Sequence, residues 1–146
     1  MKLSTRARYG TSALLDLALH QGDLVKLKDI SHRQQISLPY LEHLVSPLID
    51  AGLIVSSRGS HGGLKLAKPP EKIRLSEVVS LLEGTIAPVT CIQNPEQCPR
   101  SDSCATRDVW GDVGQAIYAV LNKTTLADLA TRQQAKISSD SAMYYI

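Results

Sequence analysis

The sequence has no phenylalanine, only 4% aromatic residues and no long apolar run. No stretch approaches the ~18 consecutive apolar residues of a membrane-spanning helix, which excludes a membrane span. The basic start MKLSTRARYG leads into LLDLAL, which contains Asp16 and is too short for a secretory core, and no small-residue cleavage site follows. We therefore expect a soluble, cytoplasmic protein with no membrane partner.

Cysteine is also scarce, because all three cysteines lie in the stretch CIQNPEQCPRSDSC, residues 91–104. An odd number of cysteines in a reducing compartment argues against a disulfide framework and favours metal or redox chemistry. We predict a loop over residues 85–104, here called the cysteine segment, and loops of that length are usually functional or disordered. Between Cys91 and Cys104 the only large hydrophobe is Ile92, so this stretch has little means of packing itself. The leading hypothesis is a metal bound by Cys91, Cys98 and Cys104.

Catalytic motifs and nucleophile–base arrangements are missing from the sequence, so we do not expect an enzyme. The histidines are scattered and lie outside the cysteine segment, which makes them poor candidates for metal ligands: His20, His32, His43 and His61.

The net charge of +2 conceals an asymmetry between the two halves of the chain. Residues 1–74 carry eleven Lys and Arg against six Asp and Glu, whereas residues 75–146 carry five against eight. A basic first half joined to an acidic second half is typical of a nucleic-acid-binding module with a sensing or assembly module, although many solvated surfaces are as uneven.

Apolar spacing predicts amphipathic helices over residues 5–20 and 26–35, and a third that follows Ser37 as N-cap and ends at Gly52. The connection between the second and third helices is short enough for a helix-turn-helix. Pro47 lies inside the third helix and is expected to kink it.

The first turns of the third helix supply candidate base-reading side chains. In a helix-turn-helix, the N-terminal residues of the second helix enter the major groove, where a carboxylate accepts from cytosine N4. The alternative is a solvated helix face. The candidates are Pro39, Tyr40, Glu42 and His43, with Lys2 and Arg6 on the polar side of the first helix.

Two short apolar runs around a glycine-rich tip predict a β-hairpin, and a hairpin directly after a helix-turn-helix makes a winged helix. An arginine at the tip suits a narrow minor groove, and the alternative is an ordinary exposed turn. A nucleotide-binding loop is disfavoured because no helix follows the glycines. The tip residues are Arg58, Gly59, Ser60, His61 and Gly62.

The second half of the chain begins with a predicted helix over residues 75–83. A broad apolar seam then runs along a long helix from Ala105, and we expect a second copy of the chain to cover it. Thr125 and Asp128 form a capping-box pattern at the start of a short last helix. The predicted organisation is a winged-helix domain (1–84), the cysteine segment (85–104), a dimerisation helix with a short helix (105–136) and a flexible tail (137–146), in a mostly α fold with a small β wing.

Together these segments resemble the IscR/NsrR/RirA family of iron–sulfur winged-helix regulators over nearly the full length, most closely IscR. The resemblance implies a homodimeric repressor of transcription that binds a pseudo-palindromic double-stranded DNA operator. It also implies a [2Fe-2S] or [4Fe-4S] cluster held by three cysteines and a further ligand, sensing iron–sulfur or iron status, nitric oxide or oxidative stress. The segments that carry it are MKLSTRARYGTSALLDLAL, ISLPYLEHL, VSSRGSHGGLKLAKPPEKIRLSEVVSLLEG, the three cysteines and LNKTTLADL.

The sequence departs from that family at several positions. Pro39 and His43 replace a serine and a glutamine of IscR, so the operator need not match, and the first cysteine gap has six residues where five are common. Arg107 stands where many IscR members carry a histidine ligand, and arginine cannot ligate a metal in the ordinary way. The acid that NsrR-like proteins supply from the partner's first helix corresponds to Arg8. The local carboxylates left as candidates for the fourth ligand are Asp108, Asp102 and Glu96, and a small molecule or water is the other option.

Three alternatives to an iron–sulfur regulator stay open at this point. Zinc is disfavoured because its cysteine ligands usually come in pairs two to four residues apart. A metal-free thiol switch would also use the three cysteines. An iron–sulfur carrier without DNA binding would leave Arg58, Glu42 and the wing unexplained.

Overall fold

The computed structural model describes residues 2–144, which form seven α-helices and one two-stranded antiparallel sheet. The fold is mostly helical with a small β wing, as predicted. Three short 3₁₀ turns interrupt the connections, at Pro70–Lys72, Pro95–Gln97 and Ser101–Ser103. The elements in chain order are α1 (Thr5–Leu19), α2 (Leu27–Gln34), α3 (Leu38–Asp50), β1 (Ile54–Ser57), β2 (Gly63–Leu66), α4 (Leu75–Glu83), α5 (Thr90–Gln93), α6 (Ala105–Lys123) and α7 (Leu126–Met143).

The helix-turn-helix turn lies between α2 and α3 and confirms the sequence prediction. Gln35 ends α2 in the left-handed conformation, with φ at 53°, and Ile36 is buried directly after it. Pro39 lies in the first turn of α3, where the missing N–H costs no helical hydrogen bond. Ser37 is the N-cap residue as predicted, but its side chain makes no capping hydrogen bond. The assigned helix continues through Pro47.

The hydrophobic core lies between α1, α2, α3, α4 and the first part of α7. Its buried side chains are aliphatic, and burial of such side chains is the main source of folding free energy. The fully buried ones are Leu14, Ile30, Leu41, Leu48, Leu53, Ile54, Ile73, Val78 and Leu126.

The wing is an antiparallel hairpin in which Ile54 pairs with Leu66 and Ser57 with Gly63. Val25 extends the pairing, because its N–H donates to the carbonyl of Leu64 at 2.8 Å and its carbonyl accepts from the Leu64 N–H at 2.7 Å. A Cβ at Gly63 would lie 2.8 Å from the Val25 carbonyl oxygen, so only glycine permits this approach. The hairpin is therefore fixed to the segment before α2.

The second half of the chain is joined to the first by backbone hydrogen bonds at the α6–α7 junction. The Leu75 N–H donates to the Thr124 carbonyl at 2.9 Å, and the Leu126 N–H donates to the Ile73 carbonyl at 3.0 Å. The predicted capping box is present, since the Asp128 N–H donates to Thr125 Oγ1 and the Thr125 N–H donates to Asp128 Oδ2. Leu126 then packs in the same core as α1.

Two predictions about the second half need correction. The last helix is not short, because α7 continues to Met143 and includes most of the predicted flexible tail; residues 145 and 146 lie outside the described residues. No glycine or proline occurs between positions 126 and 143 to end it. The cysteine segment is also not a plain loop, since α5 and two 3₁₀ turns lie within it.

Within residues 2–144, none of the helices is both long and apolar enough to cross a lipid bilayer.

Candidate functional site

The first turns of α3 present the predicted base-reading residues to solvent. Pro39, Glu42 and His43 are exposed, whereas Leu41 on the opposite side is fully buried. Tyr40 is half-buried, because its ring packs edge-on against Tyr9 of α1 with 5.8 Å between ring centroids. The core thus fixes the orientation of α3 and leaves three of the four predicted side chains free to contact a ligand.

The wing tip is a tight turn in which the Gly62 N–H donates to the Gly59 carbonyl at 3.1 Å. Gly59 has φ at 108°, and a Cβ at Gly62 would lie 2.3 Å from the Ser57 carbonyl oxygen, so glycine is required at both positions. Ser60 Oγ and His61 Nδ1 lie 3.0 Å apart. Arg58 is exposed at this tip.

A groove of about 340 Å³ lies between α3 and the wing. Glu42 and Ser46 of α3 line it on one side, and Ser56 of β1 lines it on the other. Lys2 and Arg6 are exposed at the start of α1. The structure therefore places Glu42 beside the wing, while DNA contacts by any of these residues stay a prediction.

The three cysteines lie on the short turns of the cysteine segment. Cys91 is in α5, Cys98 follows a 3₁₀ turn, and Cys104 is the N-cap residue of α6. All three are free thiols and half-buried. Thiolates are the donors that iron–sulfur clusters use, so the chemistry of the residues fits such a group.

The thiols are not gathered into a preformed site. Among residues 2–144, no three His, Cys, Asp or Glu side chains are placed to hold a metal ion together. The candidates for a fourth ligand, Glu96, Asp102 and Asp108, are all exposed. A cluster held here would therefore draw its thiolates from three separate short turns of the cysteine segment.

Cys104 has the most distinctive environment of the three cysteines. Its Sγ lies 3.1 Å from Thr106 Oγ1. The hydrogen bond from Thr106, together with the backbone N–H of Arg107, holds the pKa of this thiol below its usual value. A lower pKa increases the fraction of thiolate, which is the form that binds metals and that reacts as a nucleophile.

Arg107 links two points within the cysteine segment to α6. Its Nε donates to the Cys91 carbonyl at 3.1 Å, and its Nη1 lies 3.5 Å from the Ser101 carbonyl. From the sequence, Arg107 was only the residue that replaces a ligand, and Thr106 was missed. Thr106 could have been identified from the sequence, because its hydroxyl lies two residues after a cysteine at the start of a predicted helix.

The family model described as "Rrf2: Iron-dependent Transcriptional regulator" matches residues 3–132. The chain belongs to the Rrf2 family. It is 49% identical over 130 residues to Protein rrf2 of Nitratidesulfovibrio vulgaris, covering 88% of this chain and 87% of that protein. It is 40% identical over 141 residues to the HTH-type transcriptional regulator IscR of Serratia proteamaculans, covering 96% of this chain and 85% of that protein.

The fold agrees with this Rrf2 assignment. The solved structure of CymR, described as the global cysteine regulator of B. subtilis, superposes with a TM-score of 0.80 at 38% identity, covering 90% of this chain and 98% of that one. The chain is accordingly an Rrf2 DNA-binding transcriptional regulator with a winged helix, and its relatives are regulators rather than enzymes. The alternative of an iron–sulfur carrier without DNA binding is not supported.

Proposed function

We propose that this Rrf2 regulator binds its operator as a homodimer, and that an iron–sulfur cluster on Cys91, Cys98 and Cys104 controls the affinity. The observation that carries the proposal is the position of three free, half-buried thiols on one segment between α4 and α6. The Rrf2 family description names iron dependence, and IscR is among the relatives. The signal is iron–sulfur or iron status, nitric oxide or oxidative stress.

The dimer is supported by the exposed apolar face of α6. No residue of this 19-residue helix is buried, and Val109, Trp110 and Val120 are 56%, 41% and 54% exposed. A contiguous apolar helix face of this kind needs a partner in water. A second copy is the favoured partner because a two-fold protein matches a palindromic operator.

The proposed DNA contacts are made by the first turns of α3 and by the tip of the wing. The first turn of α3, with Pro39, Tyr40, Glu42 and His43, enters the major groove, while Arg58 enters the minor groove. Lys2 and Arg6 contact phosphates, which supply affinity without sequence information.

The cluster, [2Fe-2S] or [4Fe-4S], would supply bonds to all three thiolates and thereby connect turns that are separate without it. Arg107 cannot contribute a ligand, so the fourth comes from Glu96, Asp102 or Asp108, from the partner, or from a small molecule. The state of the cluster sets the position of the segment between α4 and α6, and that position sets the spacing of the two recognition helices, one from each copy.

A metal-free thiol switch is the second candidate function. The lowered pKa of the Cys104 thiol favours the reactive thiolate, and CymR is named for cysteine rather than for iron. A related alternative is a switch in which the same three thiols bind zinc.

Anaerobic purification followed by iron, sulfide and optical analysis separates these candidates. Wild type is compared with the three Cys→Ala variants, and Ser103→Ala is the matched control because it changes a neighbouring side chain that is not a thiol. We expect iron and sulfide in wild type and in S103A, and their loss in each cysteine variant. Colourless wild type that contains zinc, or no metal, overturns the cluster. Equal operator affinity of loaded and cluster-free protein at matched salt overturns its regulatory role.

A further inference from the structure

Glu83 is the last residue of α4 and directly precedes the cysteine segment. Gly84, with φ at 83°, turns the chain out of the helix immediately after it. A carboxylate in the last turn of a helix is disfavoured, because the C-terminal end of the helix dipole is negative. The helix itself therefore gives no reason for an acid at this position.

The carboxylate is instead used by a different part of the chain. Glu83 Oε1 accepts a hydrogen bond from the backbone N–H of Ser4, the N-cap residue of α1. Ser4 Oγ in turn accepts from the Ala7 N–H at 3.1 Å. Glu83 thus fixes the residue from which α1 starts, and Lys2 and Arg6 lie on either side of that residue.

Four parts of the molecule meet at this contact. A cavity of about 420 Å³ is lined by Lys2, by Glu83, by Thr85 and Ile86 of the cysteine segment, and by Ile117 of α6. Glu83 therefore lies beside both the cysteine segment and α6, where a movement of either can reach its carboxylate.

The crossing of α1 and α4 next to this contact is tightly packed. A Cβ at Gly10 of α1 would lie 2.3 Å from Leu82 Cδ1, the residue before Glu83. At this crossing the backbone of α1 lies directly against the Leu82 side chain, so a displacement of the end of α4 passes to α1.

We propose that Glu83 is a positioning residue that couples the state of the cysteine segment to residues 2–4, here called the N-terminal arm, and to the start of α1. This inference rests on the proposed function, since it requires two states of the segment. The hydrogen bond between the Glu83 carboxylate and the Ser4 N–H is present in one state of the segment and broken in the other. The arm, which carries Lys2, and the first turn of α1, which carries Arg6, are ordered only while that hydrogen bond is kept.

The test is the ratio of operator affinities of cluster-loaded and cluster-free protein, measured in wild type, Glu83→Ala and Glu83→Gln. Allosteric coupling typically gives a ratio of about 5–150-fold. We expect E83A to reduce the wild-type ratio by about 2- to 30-fold. The amide oxygen of E83Q can still accept from Ser4, so this variant should retain most of the ratio.

Glu77→Ala is the matched control, because it removes from the same helix a carboxylate whose one ion pair within residues 2–144 is with the surface residue Lys68, at 2.9 Å. Its ratio should equal that of wild type. If E83A lowers the operator affinity of the loaded and cluster-free proteins equally and so keeps the wild-type ratio, Glu83 only caps α1 in both states. That result overturns the inference. A wild type with no difference between states overturns the proposed function and this inference together.

Amide hydrogen exchange of wild type gives a readout that does not depend on the variants folding. The exchange rate of the Ser4 N–H should differ between the loaded and cluster-free states by about fivefold or more. Equal exchange of Ser4 in two states that differ in operator affinity overturns the inference alone.

Discussion

The carboxylate of Asp16 on α1 forms two hydrogen bonds with the guanidinium of Arg33 on α2, at 2.6 Å from Nη2 and 3.0 Å from Nε. Gln34 Nε2 adds a third at 2.9 Å, and Asp16 is only 1% exposed. These bonds fix α2 against α1. Because the helix-turn-helix turn follows Gln34 directly, they also fix the direction in which α3 leaves the turn.

Replacing Asp16 with Asn should destabilise the fold by about 2–3 kcal/mol, because Arg33 and Gln34 lose a charged acceptor that is buried between two helices. Urea denaturation followed by far-UV circular dichroism measures this free energy of unfolding. Asp23→Asn, at an exposed position in the turn after α1, should change it by less than about 0.5 kcal/mol. Equal unfolding free energies of D16N and D23N would show that the Asp16 bonds contribute nothing.

The same carboxylate predicts a pH dependence of stability. Burial by itself would raise the pKa of Asp16, but the hydrogen bonds from Arg33 and Gln34 and the charge of Arg33 outweigh burial and lower it. The pKa of Asp16 in the folded state is below its unfolded value of about 3.9. Its stabilisation of the fold is therefore fully present above pH ~3.9 and is lost as the pH falls through the folded-state pKa. The difference in unfolding free energy between wild type and D16N should therefore be constant from about pH 6 to 5 and shrink toward pH 3. A constant difference down to pH 3 would contradict the lowered pKa.

Replacing Arg58 with Ala should weaken specific operator binding by about 1–3 kcal/mol, since the side chain would no longer enter the minor groove. Fluorescence anisotropy with a labelled operator measures the affinity. Arg132→Ala removes the same charge from an exposed position on α7 and should leave the affinity almost unchanged. If R58A binds as tightly as R132A, the wing is not in the groove.

Replacing Arg107 with Ala should loosen the cysteine segment, because its side chain bonds the Cys91 and Ser101 carbonyls to α6. Losing about 1 kcal/mol of local stability corresponds to about fivefold faster amide exchange over residues 90–103 in cluster-free protein. Arg100→Ala, an exposed arginine within the segment, is the control and should exchange at the wild-type rate. Unchanged exchange in R107A would show that these two bonds do not organise the segment.

Replacing Val120 with Asp should dissociate the proposed dimer, because an unpaired carboxylate would be buried in the apolar face of α6. A penalty of about 3 kcal/mol raises the dimer dissociation constant by about 100-fold, which sedimentation equilibrium detects. Ser139→Asp, on the exposed second half of α7, adds the same charge and should leave the dissociation constant unchanged. A V120D protein that stays dimeric would place the interface elsewhere.

The helices and the wing could be predicted because their signals are local. The predicted boundaries of α4 agree with the structure, since an apolar period is followed at once by Gly84, and the Thr125–Asp128 capping box marks the start of α7. The end of α7 could not be predicted from composition, because serines depleted in helix interiors are accommodated by bonds to carbonyls four residues earlier, as at Ser138 and Ser139.

In the candidate site too, the features set by local sequence patterns could be predicted and those set by distant contacts could not. The exposed residues of α3 follow from the helical period, which places Leu41 inside and Glu42 outside. The turns of the cysteine segment depend instead on Arg107, sixteen residues after Cys91, and no local pattern specifies that contact. The contact between Glu83 and Ser4 joins residues 79 positions apart and is equally invisible in the sequence.

The packing of Leu126 against the core of α1 has a consequence for how the protein is made. A ribosome delivers the chain from the N-terminus, and domains generally fold in that order. The three thiols therefore leave the ribosome before the helix that completes the core, so delivery of the proposed cluster can begin on a nascent chain whose DNA-binding unit is still unfinished.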